Sequence, residues 1–185
     1  MTPFDKIFAR YTTFPDVDLT QGRCIAYSKS TTCRIMELMD GNSQGNVHGG
    51  VIMRMVDEAA AIVALKHSQR PVVTARVERF NFLAPAFIGD VVSVNCELQY
   101  VGRTSMEVGV EVVAEDPITG EIRMIASSYL TFVALDEHRK PTPVPPLVPQ
   151  NEEEAAIIER ARVRRMHQQK VDEELAKMES DSPQK

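Results

Sequence analysis

From Gly45 to Lys66 the chain reads GNVHGGVIMRMVDEAAAIVALK, a polar, glycine-rich turn that runs without a proline into a series of strong helix formers. Apolar or small residues occupy nearly every face of that helix, so any fold that accepts it has to bury it. His48, Gly49 and Gly50 at its start leave the first backbone amides unblocked by side chains. An open helix N-terminus, at the positive end of the dipole, suits negative charge.

Two polar residues stand out in this stretch. Arg54 and Glu58 are four apart and form an ordinary helical ion pair. Asp57, which shares its side of the helical wheel with Met53, Ala60, Ala61 and Ala64, is left as the carboxylate without a local partner. It is either an acid reaching solvent at the helix edge or a functional group, because buried unpaired carboxylates are rare. Asn46 is either a cap or turn residue or a functional carboxamide. The two are 57 − 46 = 11 positions apart, and at ~1.5 Å per residue a helical path separates them by roughly 12 to 16 Å. That is too far for one reacting centre. If both act on one substrate they come from different chains, on two antiparallel helices side by side, so the spacing predicts a two-fold dimer with two equivalent sites. His48, with no second histidine nearby, is assigned no role as base or ligand. Glu58 is the fallback carboxylate.

Around this helix the hydrophobic period changes from helical to two. Ser30 to Leu38 is strand-like, and Met39 to Gly45 is a polar loop that delivers Asn46. His67 to Pro71 is a turn, and Val72 to Phe82 a strand whose alternation slips near Arg79 and Phe80, as a bulge makes it. Two clear period-two segments follow, Val92, Val94, Cys96, Leu98 and Tyr100, then Met106, Val108, Val110, Val112 and Ala114, joined by the Gly102-Arg103 turn. A turn at Asp116 to Gly120 leads to a long strand from Glu121 to Leu135. One helix and about five antiparallel strands make an α+β layer fold, a sheet wrapped around one long helix.

A chain of 185 residues with 43% hydrophobic content suits one domain with a sizeable core. The expected boundaries are an N-terminal extension at 1–29, the folded domain at 30–138, a proline-rich semi-rigid strap at 139–150 and a charged helix with its tail at 151–185. Asn151 followed by Glu152, Glu153 and Glu154 is a good helix start, and the helix runs to about Lys177. Its Arg160, Arg162, Arg164 and Arg165 are diluted by acidic neighbours and read as a solvated face or a contact between dimers. A net charge of −5 excludes a general nucleic-acid binder. No stretch approaches the roughly 18 apolar residues of a membrane span. Three cysteines without metal-ligand spacing point to free thiols in a reducing, cytoplasmic setting. Lys6, Arg10 and Thr12 leave a short organellar presequence open, against Asp5 and Asp16.

The run Gly45-Asn46-Val47-His48-Gly49-Gly50, followed by Met55-Val56-Asp57-Glu58, resembles the signature of hotdog-fold acyl-CoA thioesterases, specifically the cytosolic brain-type acyl-CoA hydrolase family and its single-domain bacterial relatives. Ala75 to Arg79, Phe82 to Pro85, Ile88 to Asp90, Gly102 to Glu107 and the prolines from Pro141 to Pro149 extend the likeness, which covers about Ser30 to Lys170.

The resemblance implies a single hotdog domain that hydrolyses acyl-CoA without a cofactor, a metal or a serine–histidine–acid triad. In that family the residues matching Asn46 and Asp57 are the catalytic pair. Asp57 would serve as general base on a water, or as nucleophile, Asn46 would orient the water or carbonyl, and amides near Gly49 and Gly50 would form the oxyanion hole. Arg103, Thr104 and Ser105, with Arg76 and Arg79, are the candidates for CoA phosphate contacts; for Arg76 and Arg79 an ordinary solvated strand face is an equal alternative. Val51, Met55, Phe80 and Phe82 are the candidate acyl pocket. The implied assembly is a homodimer at minimum and a hexamer built as a trimer of dimers. The alternatives are a hotdog hydroxyacyl dehydratase using His48 with Asp57, and a non-catalytic acyl-CoA sensor.

Overall fold

A computed structural model of the chain describes residues 14–180. The expectations for the first thirteen residues, including the presequence cues at Lys6, Arg10 and Thr12, and for the tail beyond Ser180 lie outside the described residues. Two compact units divide at Val148 and Pro149.

The first unit runs α1 (Ile25–Ser28), β1 (Ser30–Ile35), α2 (Gly49–Ser68), β2 (Val72–Phe82), β3 (Val91–Val101), β4 (Ser105–Glu115) and β5 (Ile122–Ala134), with a short 3-10 turn at Leu38–Asp40. The five strands form one sheet in the order β1-β3-β4-β5-β2, and every neighbouring pair is antiparallel. α2 lies on one face of this sheet and touches all five strands. The period-two residues do what their spacing requires: Val92, Val94, Cys96 and Leu98 of β3 and Met106, Val108, Val112 and Ala114 of β4 are fully buried against Ile52, Val56, Ala59, Ala60 and Val63 of α2.

The slip anticipated in β2 is a bulge. The pairing with β5 shifts between Glu78 and Asn81, where Arg79 takes a left-handed φ of 49°, and again between Thr74 and Arg76. Few side chains other than glycine and asparagine accept that backbone conformation, so the strand bends there for a local reason. β2 is an outer strand, and Val73, Val77 and Phe82 on it are exposed.

The expectation that α2 is buried all round is corrected. Ile52, Met55, Val56, Ala59, Ala60, Val63 and Ala64 face the sheet, whereas Met53, Arg54, Asp57, Glu58, Ile62, Leu65 and Lys66 form an exposed stripe at helical spacing. The apolar residues on that stripe are 38 to 45% exposed. The sequence could not reveal this, because one chain holds enough sheet to cover half of the helix.

α2 also extends further than expected, through His67 and Ser68 to a left-handed cap at Gln69. The proline-rich segment up to Val148 docks on this unit. Thr142 N–H donates to Ala134, Val144 N–H to Arg103 and Arg23 N–H to Pro146, and the buried His67 Nε2 lies 2.9 Å from the Pro145 carbonyl. In the second unit a single helix, α3 (Glu152–Ser180), starts where Asn151 Oδ1 accepts from Glu154 N–H and Gln150 N–H donates to the Glu154 carboxylate.

Candidate active site

The loop before α2 is built by its own side chains. Gly45 N–H donates to the Asn42 carbonyl across a tight turn, and Gly45 supplies the positive φ of 82° needed there. Asn42 Oδ1 accepts from Gln44 N–H at 2.8 Å and from Asn46 N–H at 3.2 Å, while Asn42 N–H donates to the Asn46 carbonyl at 2.7 Å. Both oxygens of the turn are committed, so the Asn42 carboxamide is fixed, with its Nδ2 group engaged by no hydrogen bond among the described residues. Asp40 holds the other end. Its carbonyl accepts from His48 N–H, and its carboxylate, held below the usual carboxylate range chiefly by the hydrogen bond from Arg34, also caps Glu37 N–H.

His48, rather than Asn46, is the cap of α2. Its Nδ1 accepts from Gly50 N–H at 3.0 Å. This corrects two expectations at once. The first turn is not free of side chains, and Gly50 N–H is already donated, so Gly50 drops out as an oxyanion donor. Gly49 N–H remains, engaged by no hydrogen bond among the described residues. A Cβ on Gly49 would sit 3.2 Å from the Phe82 ring, so glycine lets the helix start close against that aromatic.

A cavity of about 330 Å³ opens at this point. Asn42, Asn46 and Gly49 line its polar side; Val47, Ile52, Phe82, Leu83, Ala84, Pro85, Ala86 and Ile125 line the rest. Of the four residues expected to form an apolar pocket, Phe82 is on the wall, and Phe80 packs against it with ring centroids 4.9 Å apart and the planes tilted by 42°. Val51, Met55 and Phe80 do not line it. Ile52, rather than its neighbour Val51, points there because the sheet-facing side of α2 is set by Ile52, Val56 and Ala59.

Among the described residues, no titratable side chain lines the cavity. Asp57 stands eight residues along α2 from Gly49, about 12 Å at 1.5 Å per residue, on the exposed stripe. It is not partnerless as expected: Thr74 Oγ1 of β2 donates to its Oδ1 at 2.6 Å. The Gly102 to Ser105 turn is further still from the cavity. Ser105 pairs with Val133, and eight residues of β5 separate Val133 from the lining Ile125, roughly 26 Å of strand. Within one protomer Arg103, Thr104 and Ser105 therefore cannot serve this cavity; they lie by the end of α2, where the Thr104 carbonyl accepts from Ala134 N–H. Arg76 is 3.3 Å from the Glu78 carboxylate, and Arg79 sits exposed on its bulge.

Comparison with known proteins decides the family. Residues 44–121 match the thioesterase superfamily model. The chain is 42% identical over 126 residues to the uncharacterized acyl-CoA thioester hydrolase YkhA of Bacillus subtilis, covering 68% of this chain and 73% of that one. It belongs to the acyl-CoA thioester hydrolases. The cytosolic acyl coenzyme A thioester hydrolase of Rattus norvegicus is 36% identical over 76% of this chain, which spans 37% of that longer hydrolase. Among solved hydrolase structures, an apo-hexameric acyl-CoA thioesterase superposes with a TM-score of 0.79 at 37% identity, covering 82% of this chain and 97% of that one. The acyl-CoA hydrolase of Staphylococcus aureus superposes at 0.73 and 33% identity, covering 83% and 96%. Its solved structures include alanine variants at one aspartate, at an asparagine fifteen positions before it and at a threonine seventeen positions after it.

Sequence reasoning did not single out Asn42, which lines the cavity, or Thr74, which donates to Asp57. The signal for Asn42 was present in its asparagine-to-glycine turn four residues ahead of Asn46. Thr74 carries no signal of its own, since a threonine on a strand is ordinary.

Proposed function

We propose that this chain hydrolyses acyl-CoA thioesters to free acid and CoA at a site shared by two protomers, with the donors Asn42 and Gly49 from one and Asp57, held by Thr74, from the other. The observation that carries the reading is the division of labour: the cavity holds hydrogen-bond donors and no acid or base, whereas Asp57 lies on an exposed stripe about 12 Å away along the helix. In this chain 57 − 42 = 15 and 74 − 57 = 17, the intervals between the three altered positions of the Staphylococcus aureus hydrolase. That favours Asn42 over Asn46 as the orienting amide, with Asn46 as the strut that fixes it.

An antiparallel pairing of two α2 helices places each Asp57 opposite the partner's Gly49 when the two-fold axis passes midway between them, near Met53. The same operation brings the end of the partner's α2, and with it the partner's Arg103-Thr104-Ser105 turn, toward the cavity mouth. There the guanidinium and hydroxyls can meet phosphate. The hexameric assembly named for the superposed thioesterase supports a trimer of such dimers.

The carbonyl oxygen sits against Gly49 N–H and Asn42 Nδ2. The Asp57 carboxylate takes a proton from water as the water oxygen bonds to the carbonyl carbon, and charge builds on the oxygen facing the two donors. Collapse of the tetrahedral species breaks the carbon–sulfur bond, and the Asp57 proton passes to the departing thiolate. The His48 Nδ1 lone pair, bound to Gly50 N–H, is not free for the histidine-based dehydratase alternative.

The test is release of CoA thiol from short to long acyl-CoAs by wild type, Asp57→Ala and Asn42→Ala. Turnover that collapses in both variants supports the reading. Saturable acyl-CoA binding without thiol release replaces it with a sensor.

A further inference from the structure

Behind the wall of the cavity an ion pair, buried at Asp90 and half-buried at Arg123, joins two segments distant in sequence. Asp90, 4% exposed, closes the connection between β2 and β3; Arg123 comes from the start of β5. Arg123 Nη2 donates to Asp90 Oδ2 at 2.7 Å, and the same oxygen accepts Phe87 N–H at 2.7 Å. The guanidinium lies over the Phe87 ring, 5.1 Å from its centroid, and its other terminal nitrogen is 3.5 Å from the Glu121 carboxylate. The connection is pinned on its far side as well, with Met36 N–H donating to the Asp90 carbonyl and Gly89 N–H to the Met36 carbonyl.

The pair's neighbours lead to the site. Phe87 bridges Asn46 in an antiparallel pairing, and Val47 N–H donates to the Ala86 carbonyl at 2.9 Å. Asn46 in turn supplies the N–H and the carbonyl that fix Asn42. Ala84, Pro85 and Ala86 of the same connection are cavity wall. The pair is a poor choice for stability alone. Arg123 Nε is buried without a hydrogen-bond partner, and an orphaned donor costs stability. A buried pair is commonly replaceable by apolar residues at no loss.

We infer that Asp90 and Arg123 are positioning residues for catalysis: through Phe87 and Asn46 the pair sets where the Asn42 carboxamide stands relative to Gly49. This rests on the thioesterase reading for its kinetic consequence and on the structure for its mechanical one. Asn42 then has to be held within fractions of an ångström, since a misplacement of about 1 Å can cost ~10²-fold in rate.

The experiment measures steady-state kinetics of Asp90→Asn, Arg123→Met and Arg123→Lys on an acyl-CoA that wild type turns over, alongside amide hydrogen exchange at Asn46 and Phe87. Asp90→Asn keeps an oxygen for Phe87 N–H; Arg123→Lys keeps a charged donor. The expected result is a kcat lowered ~10- to 100-fold in Arg123→Met with KM within about threefold, faster exchange at Asn46, and substantial recovery of both in Arg123→Lys. Unchanged kcat in folded Arg123→Met and Asp90→Asn, or unchanged Asn46 exchange, overturns the inference. So does an equal loss in Arg123→Lys, or a change in KM alone. If wild type releases no thiol from any acyl-CoA, the functional reading fails separately, and Asn46 exchange still decides whether the pair holds the loop.

Discussion

Thr74 Oγ1 donates to Asp57 Oδ1 at 2.6 Å, tying the exposed stripe of α2 to the outer strand β2. The bond leaves the second carboxylate oxygen for a water and fixes its direction, because the threonine sits on a paired strand beside a bulge. Loss of the proposed base in Asp57→Ala is expected to lower kcat by ~10²- to 10⁴-fold, the usual contribution of a general base. Thr74→Val removes the hydroxyl and keeps the shape. Its expected effect is smaller, about tenfold in kcat, with KM little changed, on the ~1.5 kcal/mol scale of a hydrogen bond to a charged group. Equal activity of Thr74→Val and wild type in a thiol-release assay would remove Thr74 from the site.

The strands were legible because β3 and β4 alternate so regularly that their extent and buried face follow from one rule, whereas the order β1-β3-β4-β5-β2 and the register slips after Leu98 and Val112 are set by pairing that no single strand encodes. The bulge at Arg79 was legible for the same reason, as a break in that rule. The site was legible in part. Asp57 and Gly49 declare themselves on a helix, where spacing fixes direction, but Asn42 reaches the cavity from a turn whose shape depends on hydrogen bonds that no periodicity encodes. Gly50 misled because the amide it offers is taken by a side chain two residues away, and the far half of α2 misled because the sheet of one chain covers only the other half.

That half of α2 supplies a second prediction. Met53, Ile62 and Leu65 line the stripe, with the proposed axis near Met53. Met53→Asp sets two like charges face to face across the axis, where such a juxtaposition costs several kcal/mol. The expected outcome is a fall in mass by light scattering together with loss of turnover, although Met53 has no group that could act in the chemistry. Full activity from a verified monomer would contradict a site shared between protomers.

The strap gives a pH dependence. His67 is fully buried and holds the Pro145 carbonyl; burial, opposed by that hydrogen bond, pulls its pKa below the ordinary 6.5. The folded state therefore favours the neutral ring, and its contribution to stability is complete above pH 6.5. It is lost as pH falls from there through the folded value, where the unfolded chain binds the proton first. In thermal unfolding between pH 5 and 8, wild type is expected to lose Tm on acidification more steeply than His67→Gln, whose amide can still donate to Pro145. Parallel Tm curves would show that His67 does not carry the slope.

Two inactive variants distinguish a shared site from one complete within a single chain. Asn42→Ala and Asp57→Ala each destroy both sites of a homodimer when donors and base come from opposite protomers. Mixed and reassembled, half of the dimers are heterodimers, and each holds one intact site of two, assembled from the unaltered Asn42 of one chain and the unaltered Asp57 of the other. The recovered activity is then about a quarter of wild type per total chain. If instead each protomer used its own Asn42 and Asp57, every site in the mixture would carry a lesion, and no activity would return however complete the exchange. Mass spectrometry of the intact assemblies establishes that heterodimers have formed, so a silent mixture has one meaning: the Asp57 that meets the cavity belongs to the same chain.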